Sequence, residues 1–169
     1  MPDFPKMRVF LLQGDPADIF LTAMDLERGA ELFYTEVLAR HREKGFARFI
    51  DLLARAEEGH ARKIYGFYRQ EVPEAPPFEE LYPSLSGEVI EGGRSLEAMK
   101  RMLDTPVDEP CLDIVEMAIT IEYAAYDLYR NMADYFTDSK MTEAFLAIAQ
   151  AEKEHMRIAA EALQFCEDD

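Results

Sequence analysis

A Glu-x-x-His motif occurs twice in this chain, and each copy follows another glutamate by 30 residues. Glutamate and histidine three positions apart on a helix lie on one face, so each pair can reach the same metal ion. The second set lies 95 residues after the first. Together the two sets supply four carboxylates and two imidazoles, a ligand set for two metal ions. The candidate metal ligands are Glu27, Glu57, His60, Glu122, Glu152 and His155.

The charge of such a site also favours metal binding. Four buried, ionised glutamates are very unfavourable unless they are paired or bound to metal. Two divalent cations balance four carboxylates, and dinuclear sites hold their ions about 3.5–4 Å apart. An oxygen-rich set with one imidazole per metal suits iron or manganese, and zinc is expected only as an adventitious occupant.

Long helices must position these residues, and the sequence predicts four of them. Asp15 followed by Pro16 is typical of a helix start, and Pro110 opens another helix. We expect helical hairpins over about 16–71 and 110–166, with turns near Gly45 and near residue 138. Measured along the helices, both ligand groups then lie at a similar depth, roughly 20 Å from the turns at 1.5 Å per residue.

The two hairpins are joined by a connection over about 72–109 that is rich in proline and glycine. Ser95 is expected to cap one short helix within it, Leu96 to Leu103. So long a connection suits a bundle in which the chain travels the full length of the bundle between hairpins. The ungapped offset of 95 residues, which also relates Tyr34 to Tyr129, indicates a duplicated helix pair. We therefore predict an all-α four-helix bundle forming one domain over residues 1–169.

Composition limits the classes of partner. The chain has 169 residues and a net charge of −16, which argues against binding nucleic acid or an anionic membrane. Cys111 and Cys166 form no Cys-x-x-Cys pair and are interpreted as thiols in a reducing compartment. The segment Met1 to Gly14 has no basic region and too short an apolar run for a signal peptide, so a cytoplasmic location is expected. Nothing further is predicted for that segment.

These residues resemble the rubrerythrin branch of the ferritin-like superfamily, over roughly residues 17–71 and 111–166. One glutamate from each of two helices, with Glu-x-x-His from each of two others, is the ligand pattern of di-iron carboxylate bundles. The resemblance implies that Glu57 and Glu152 bridge the metals, that Glu27 and Glu122 are terminal ligands, and that each histidine binds one metal. Tyr34 and Tyr129 are then expected beside the ligands, hydrogen-bonded to carboxylates.

Two features depart from that family. Its members usually carry an extra glutamate three residues after the terminal ligand of the third helix, where this chain has Ala125, and its repeat mate is Ala30. The sequence therefore predicts six ligands rather than seven. Members also usually carry a rubredoxin domain with paired Cys-x-x-Cys motifs, and this sequence has none. A separate electron donor is expected, and the assembly is expected to be a homodimer.

The leading hypothesis is a non-haem di-iron oxidoreductase that reduces hydrogen peroxide or oxygen, with a role in oxidative stress. A manganese catalase-like enzyme and a ferroxidase or iron-handling protein are the alternatives that keep the metal site. A helical interaction module that has lost its chemistry is the alternative without one.

Overall fold

The structure, a computed structural model, describes residues 14–166, so the expectations for residues 1–13 and 167–169 lie outside the described part. Six α-helices lie within residues 14–166. They are α1 (Pro16–His41), α2 (Ala47–Glu71), α3 (Phe78–Ser84), α4 (Leu96–Asp104), α5 (Pro110–Tyr135) and α6 (Ser139–Ala162), followed by a short 3-10 helix (Leu163–Phe165). The predicted all-α fold class, with two long helical hairpins joined by a crossover, is confirmed.

Local capping explains where the helices begin. The Asp15 side chain accepts a hydrogen bond from the amide of Ala17, with Pro16 at the first position of α1. The Asp138 carboxylate accepts hydrogen bonds from the amides of Lys140 and Met141, both at 3.0 Å, at the start of α6. Each cap satisfies amides that have no partner within the helix.

The long helices form two antiparallel hairpins. Helix α1 packs along α2, and α5 packs along α6. The hairpins also meet where α2 lies against α6. This arrangement brings the four long helices around a common interior.

The connection between the hairpins is more structured than the sequence indicated. It contains α4, capped by Ser95 as expected, and also α3, a short helix with Pro83 inside it that the proline-rich sequence did not indicate. Before α4 the chain folds into a tight loop, in which Val89 forms an isolated antiparallel bridge with Ser95. This loop, residues 87–95, is called the crossover loop below.

The hydrophobic core consists of two clusters. Both draw residues from α1, α2, α5 and α6, so each ties the two hairpins together by apolar burial. The Phe46 cluster lies towards the α1–α2 turn and includes Phe33, Val37, Ile50 and Ile114. The Phe145 cluster lies towards the other end of the bundle and includes Phe20, Met24, Ile64, Tyr129 and Ile148.

The expectation that Cys111 and Cys166 are separate thiols is wrong. They form a disulfide that joins the start of α5 to the turn following the 3-10 helix. The two cysteines are 55 residues apart in sequence, and the antiparallel hairpin brings their ends together. Spacing alone could not show this pairing, because it depends on both helices having nearly the same length.

No helix among residues 14–166 is both long and apolar enough to cross a membrane.

Candidate metal centre

The buried polar and charged side chains of the described residues form a short set. It contains all six predicted metal ligands and one further carboxylate. Because charged side chains are almost never fully buried without compensation, such a set indicates a site rather than ordinary helix surface. The set is Glu27, Glu57, His60, Glu91, Glu122, Glu152 and His155.

The four predicted glutamates lie between the two hydrophobic clusters. On α1, Glu27 falls between Met24 of the Phe145 cluster and Ala30 of the Phe46 cluster. On α6, Glu152 likewise falls between residues of the Phe145 cluster before it and of the Phe46 cluster after it. Glu57 and Glu122 occupy the same boundary on α2 and α5. The carboxylates thus form a polar band across an otherwise apolar interior.

His60 faces this band with its Nδ1 atom. Nδ1 lies 2.8 Å from Oε1 of Glu152, 3.7 Å from Oε2 of Glu27 and 4.0 Å from Oε2 of Glu57. The contact to Glu152 is short, yet neither atom has a hydrogen-bond partner, so the two are close without being aligned as donor and acceptor. A ring nitrogen and three carboxylate oxygens around one point are an arrangement suited to a cation.

His155 faces the band from α6 in the same way. Its Nδ1 lies 3.0 Å from Oε2 of Glu152 and 3.1 Å from Oε2 of Glu122. The rings of His60 and His155 stack with centroids 5.4 Å apart. Glu152 therefore contacts both histidines, one through each of its carboxylate oxygens.

Two buried tyrosines link the hairpins reciprocally. The Tyr34 hydroxyl of α1 donates to Oε1 of Glu122 on α5, and the Tyr129 hydroxyl of α5 donates to Oε1 of Glu27 on α1. Burial, with the charges of Glu122 and Glu27 respectively, raises the pKa of each tyrosine well above its usual value. Both phenols therefore stay protonated and orient one oxygen of each carboxylate, leaving the other towards the band.

The carboxylates differ in their affinity for protons. Burial, and next the charge of Glu27, raises the pKa of Glu57 well above its usual range. Burial likewise raises the pKa of Glu152. For Glu27, the effect of burial is outweighed by favourable interactions with the neighbouring Glu57 and then with His60, so its pKa is lowered.

The imidazole of His155 also holds a proton. Burial opposes its protonation, but hydrogen bonds to Glu122 and Glu152 raise its pKa to about 9. Without metal, the buried band is thus stabilised by protons that it retains on carboxylates and imidazole.

The residues present fit a metal pair. Buried oxygens of Glu27, Glu57 and Glu152 have no hydrogen-bond partner among the described residues, nor does Nδ1 of His60. Ligand atoms of Glu27, Glu57, His60 and Glu152 all lie within 4.8 Å of one another, and so do those of His60, Glu152 and His155. Two overlapping groups that share His60 and Glu152 are compatible with two neighbouring ions.

Glu91 is the member of the set that the sequence analysis missed. It lies in the crossover loop, outside both hairpins, and is 4% exposed. The 95-residue repeat could not reveal it, because a residue between the two halves has no counterpart in either. The sequence around Glu91 offers only the two glycines that follow it, which indicate a tight turn. In the structure both Gly92 and Gly93 have positive φ angles.

Comparison with known proteins adds a family match in the second hairpin. Residues 113–169, which contain nearly all of α5 and all of α6, match the family model described as Rubrerythrin. This segment carries Glu122, Glu152 and His155. No curated protein and no solved structure matches the chain.

Proposed function

Residues 113–169 of this chain match the Rubrerythrin family, and from that premise we propose that the protein is a di-iron oxidoreductase of the rubrerythrin/ferritin-like type, acting on hydrogen peroxide or oxygen. The observation that carries the proposal is the position of Glu152. Its two oxygens contact the histidines of the two different hairpins, at the centre of a buried band of carboxylates. The proposed bridging ligands are Glu57 and Glu152, the terminal ligands are Glu27 and Glu122, and His60 and His155 bind one ion each.

The donor types support iron as the metal. Carboxylate oxygens with one imidazole per ion suit iron or manganese better than metals that prefer thiolates. Two ferrous ions held here would supply together the two electrons that convert hydrogen peroxide, with two protons, into two molecules of water. Manganese, in a catalase-like enzyme, and storage of oxidised iron remain the alternatives.

The protein itself would supply orientation and exclusion of water. Tyr34 and Tyr129 each hold a terminal carboxylate of the opposite hairpin by a hydrogen bond. Such hydrogen bonds fix the orientation of a ligand and tune its basicity. The two apolar clusters above and below the band keep bulk water from the ligands, which strengthens every charge interaction within the site. Protons held at Glu57, Glu152 and His155 would leave when the ligands bind metal.

The experiment is anaerobic loading with Fe²⁺, followed by rapid mixing with hydrogen peroxide. We expect two iron ions per chain and their fast oxidation, followed optically. Glu152→Gln should lose iron, because it removes the negatively charged carboxylate that contacts both histidines. The matched control is Glu154→Gln on the same helix, whose exposed carboxylate pairs with Arg157 outside the site.

Several outcomes separate the alternatives. A loaded protein whose iron is inert to peroxide but oxidised by oxygen and retained in quantity favours iron handling. Manganese in protein purified without added metal, with oxygen released from peroxide, favours a catalase-like enzyme. Equal metal content in wild type, Glu152→Gln and Glu154→Gln would refute the metal site itself.

The other assignments are proposals of the same kind. A separate electron donor and a homodimer follow from the resemblance, as does a role in oxidative stress. A cytoplasmic location stays a prediction, and the Cys111–Cys166 disulfide counts against it, because stable disulfides are typical of oxidising compartments.

A further inference from the structure

We propose that Glu91 supplies a fifth carboxylate to the metal centre, brought in by the crossover loop rather than by any of the four long helices. The proposal rests on the metal site proposed above and adds a ligand to it. The proposal raises the expected number of metal ligands from six to seven.

The first observation is that Glu91 is buried without a partner. It is 4% exposed, and neither of its carboxylate oxygens has a hydrogen-bond partner among the described residues. No arginine or lysine forms an ion pair with it in that part of the chain. A carboxylate whose two oxygens both lack partners is costly to bury, so a cation is the natural complement.

The second observation is that Glu91 lies in the electrostatic field of the centre. After burial itself, the charge of Glu27 contributes most to raising its pKa, and the charge of Glu122 adds to it. Its own charge in turn raises the pKa of Tyr34 and of Tyr129. The packing of the loop agrees with this, since Val89 and Gly92 on either side of Glu91 lie against Gly29 and Ala124, which come two residues after Glu27 and Glu122.

The third observation is that the crossover loop is held firmly against both hairpins. The Val89 carbonyl oxygen approaches so close to Gly29 of α1 that a Cβ there would lie 2.5 Å away. On the other side, Gly92 packs near the Cβ atom of Ala124 on α5. Position 29 and position 124 are repeat mates, so the loop bridges equivalent points of the two hairpins.

Hydrogen bonds fix the two ends of the loop around Glu91. The Gly87 amide donates to Oδ1 of Asp25 on α1, at 2.8 Å. The Ile90 amide donates to the Arg94 carbonyl at 2.9 Å, and the Ile90 side chain is fully buried in the Phe46 cluster. The loop is thus anchored by an apolar side chain immediately before Glu91 and closed by two glycines immediately after it.

A fifth carboxylate changes the charge of the centre. Four glutamates balance two divalent ions, whereas five leave one negative charge in excess and so favour the trivalent ions of the oxidised state. The reduction potential of an iron centre depends on its net charge and ligands. Removing the charge of Glu91 should therefore raise the midpoint potential as well as weaken metal binding.

The test is a titration of the metal-free chain with Co²⁺, read by calorimetry and by visible absorption, on wild type and Glu91→Gln. Glutamine has nearly the same shape and relieves the buried charge, so the variant should fold. Loss of an outer hydrogen-bonding partner alone weakens metal sites by about 10–100-fold. We expect at least about ten-fold weaker binding of one Co²⁺ and a changed absorption spectrum, because a ligand is lost. The midpoint potential of the iron-loaded variant should be higher.

Glu88→Gln is the matched control, since Glu88 is an exposed carboxylate of the same loop. It should bind Co²⁺ like wild type. If Glu91→Gln binds two Co²⁺ ions with the affinity and spectrum of wild type, Glu91 is a buried neutral acid and the proposal is overturned while the metal site stands. If wild type and Glu152→Gln are alike in binding no Co²⁺, both proposals fail.

Discussion

Replacing Gly29 by alanine tests how tightly the crossover loop is held against α1. The added Cβ would lie 2.5 Å from the Val89 oxygen and 3.0 Å from the Gly87 oxygen. Both are backbone atoms, so no side chain can rotate away. Ordinary contact begins at 3.4 Å. The loop must therefore move by about 0.9 Å along this contact, a distance that matters in close-packed structure.

The size of the effect follows from a comparison with Gly66→Ala. Gly66 lies within α2 and has nothing within 4 Å of an added Cβ. Both substitutions gain helix propensity, about 0.8–1.0 kcal/mol. Only the substitution at Gly29 meets a steric clash, and overpacking typically costs about 1–3 kcal/mol. The propensity gain cancels between the two variants, so their difference in unfolding free energy measures the clash.

The assay is thermal unfolding of the metal-free variants at one pH. For a chain of this size 1 kcal/mol shifts Tm by about 2–4 °C. Gly66→Ala should unfold a few degrees above wild type, and Gly29→Ala about 2–12 °C below Gly66→Ala. Gly29→Ala should also bind Co²⁺ more weakly, as expected for Glu91→Gln, because the displaced loop carries Glu91. If Gly29→Ala is as stabilising as Gly66→Ala, the loop does not rest on α1 and the reasoning fails.

Two further predictions concern stability. The disulfide closes a segment of 55 residues, and chain-entropy estimates for such a loop give roughly 4 kcal/mol. Cys111→Ser should therefore lower Tm by about 8–16 °C, and an unchanged Tm under non-reducing conditions would contradict the pairing. The metal-free protein should become less stable as pH rises, because several groups bind protons more tightly when folded than when unfolded. The loss should begin above the ordinary glutamate pKa of 4.5 and continue for His155 between 6.5 and about 9. The lowered pKa of Glu27 acts in the opposite direction, but only as pH falls below 4.5. Thermal melts of the metal-free protein from about pH 6 to 9 check this, and a Tm that rises over that range would show that the site does not retain protons. The groups whose raised pKa contributes to this loss of stability are Glu57, Glu91, Glu152 and His155.

Sequence reasoning worked best where the signal was local or periodic. The Asp15–Pro16 start, the Ser95 cap and the Pro110 start predicted helix boundaries, because capping depends on residues within one turn. Sequence reasoning failed at α3, where the prolines, Pro83 among them, argued against a helix although a short helix forms. Pro83 lies in the last turn of that helix, so its missing amide removes only one hydrogen bond at the helix end.

Within the site, spacing identified the six residues that the four helices bring together. A Glu-x-x-His pair and a glutamate 30 residues earlier are fixed in relative position by helix geometry and a short turn, so residue numbers carry spatial information. The reciprocal bonds of Tyr34 and Tyr129 cross between hairpins. Their partners follow from how the hairpins pack, and the repeat alone could not assign them.

The sequence alone predicts the two helical hairpins, their equivalence and the six glutamates and histidines on their inner faces. Each of these depends on periodicity along a single helix or across one turn. The Cys111–Cys166 bond, the pairing of each tyrosine with the opposite hairpin and the entry of Glu91 arise only in the folded chain. Those contacts join segments far apart in the chain. The disulfide depends on α5 and α6 having nearly equal lengths, and the burial of Glu91 depends on the close approach of the crossover loop to α1 at Gly29. Neither has a periodic signature in the sequence.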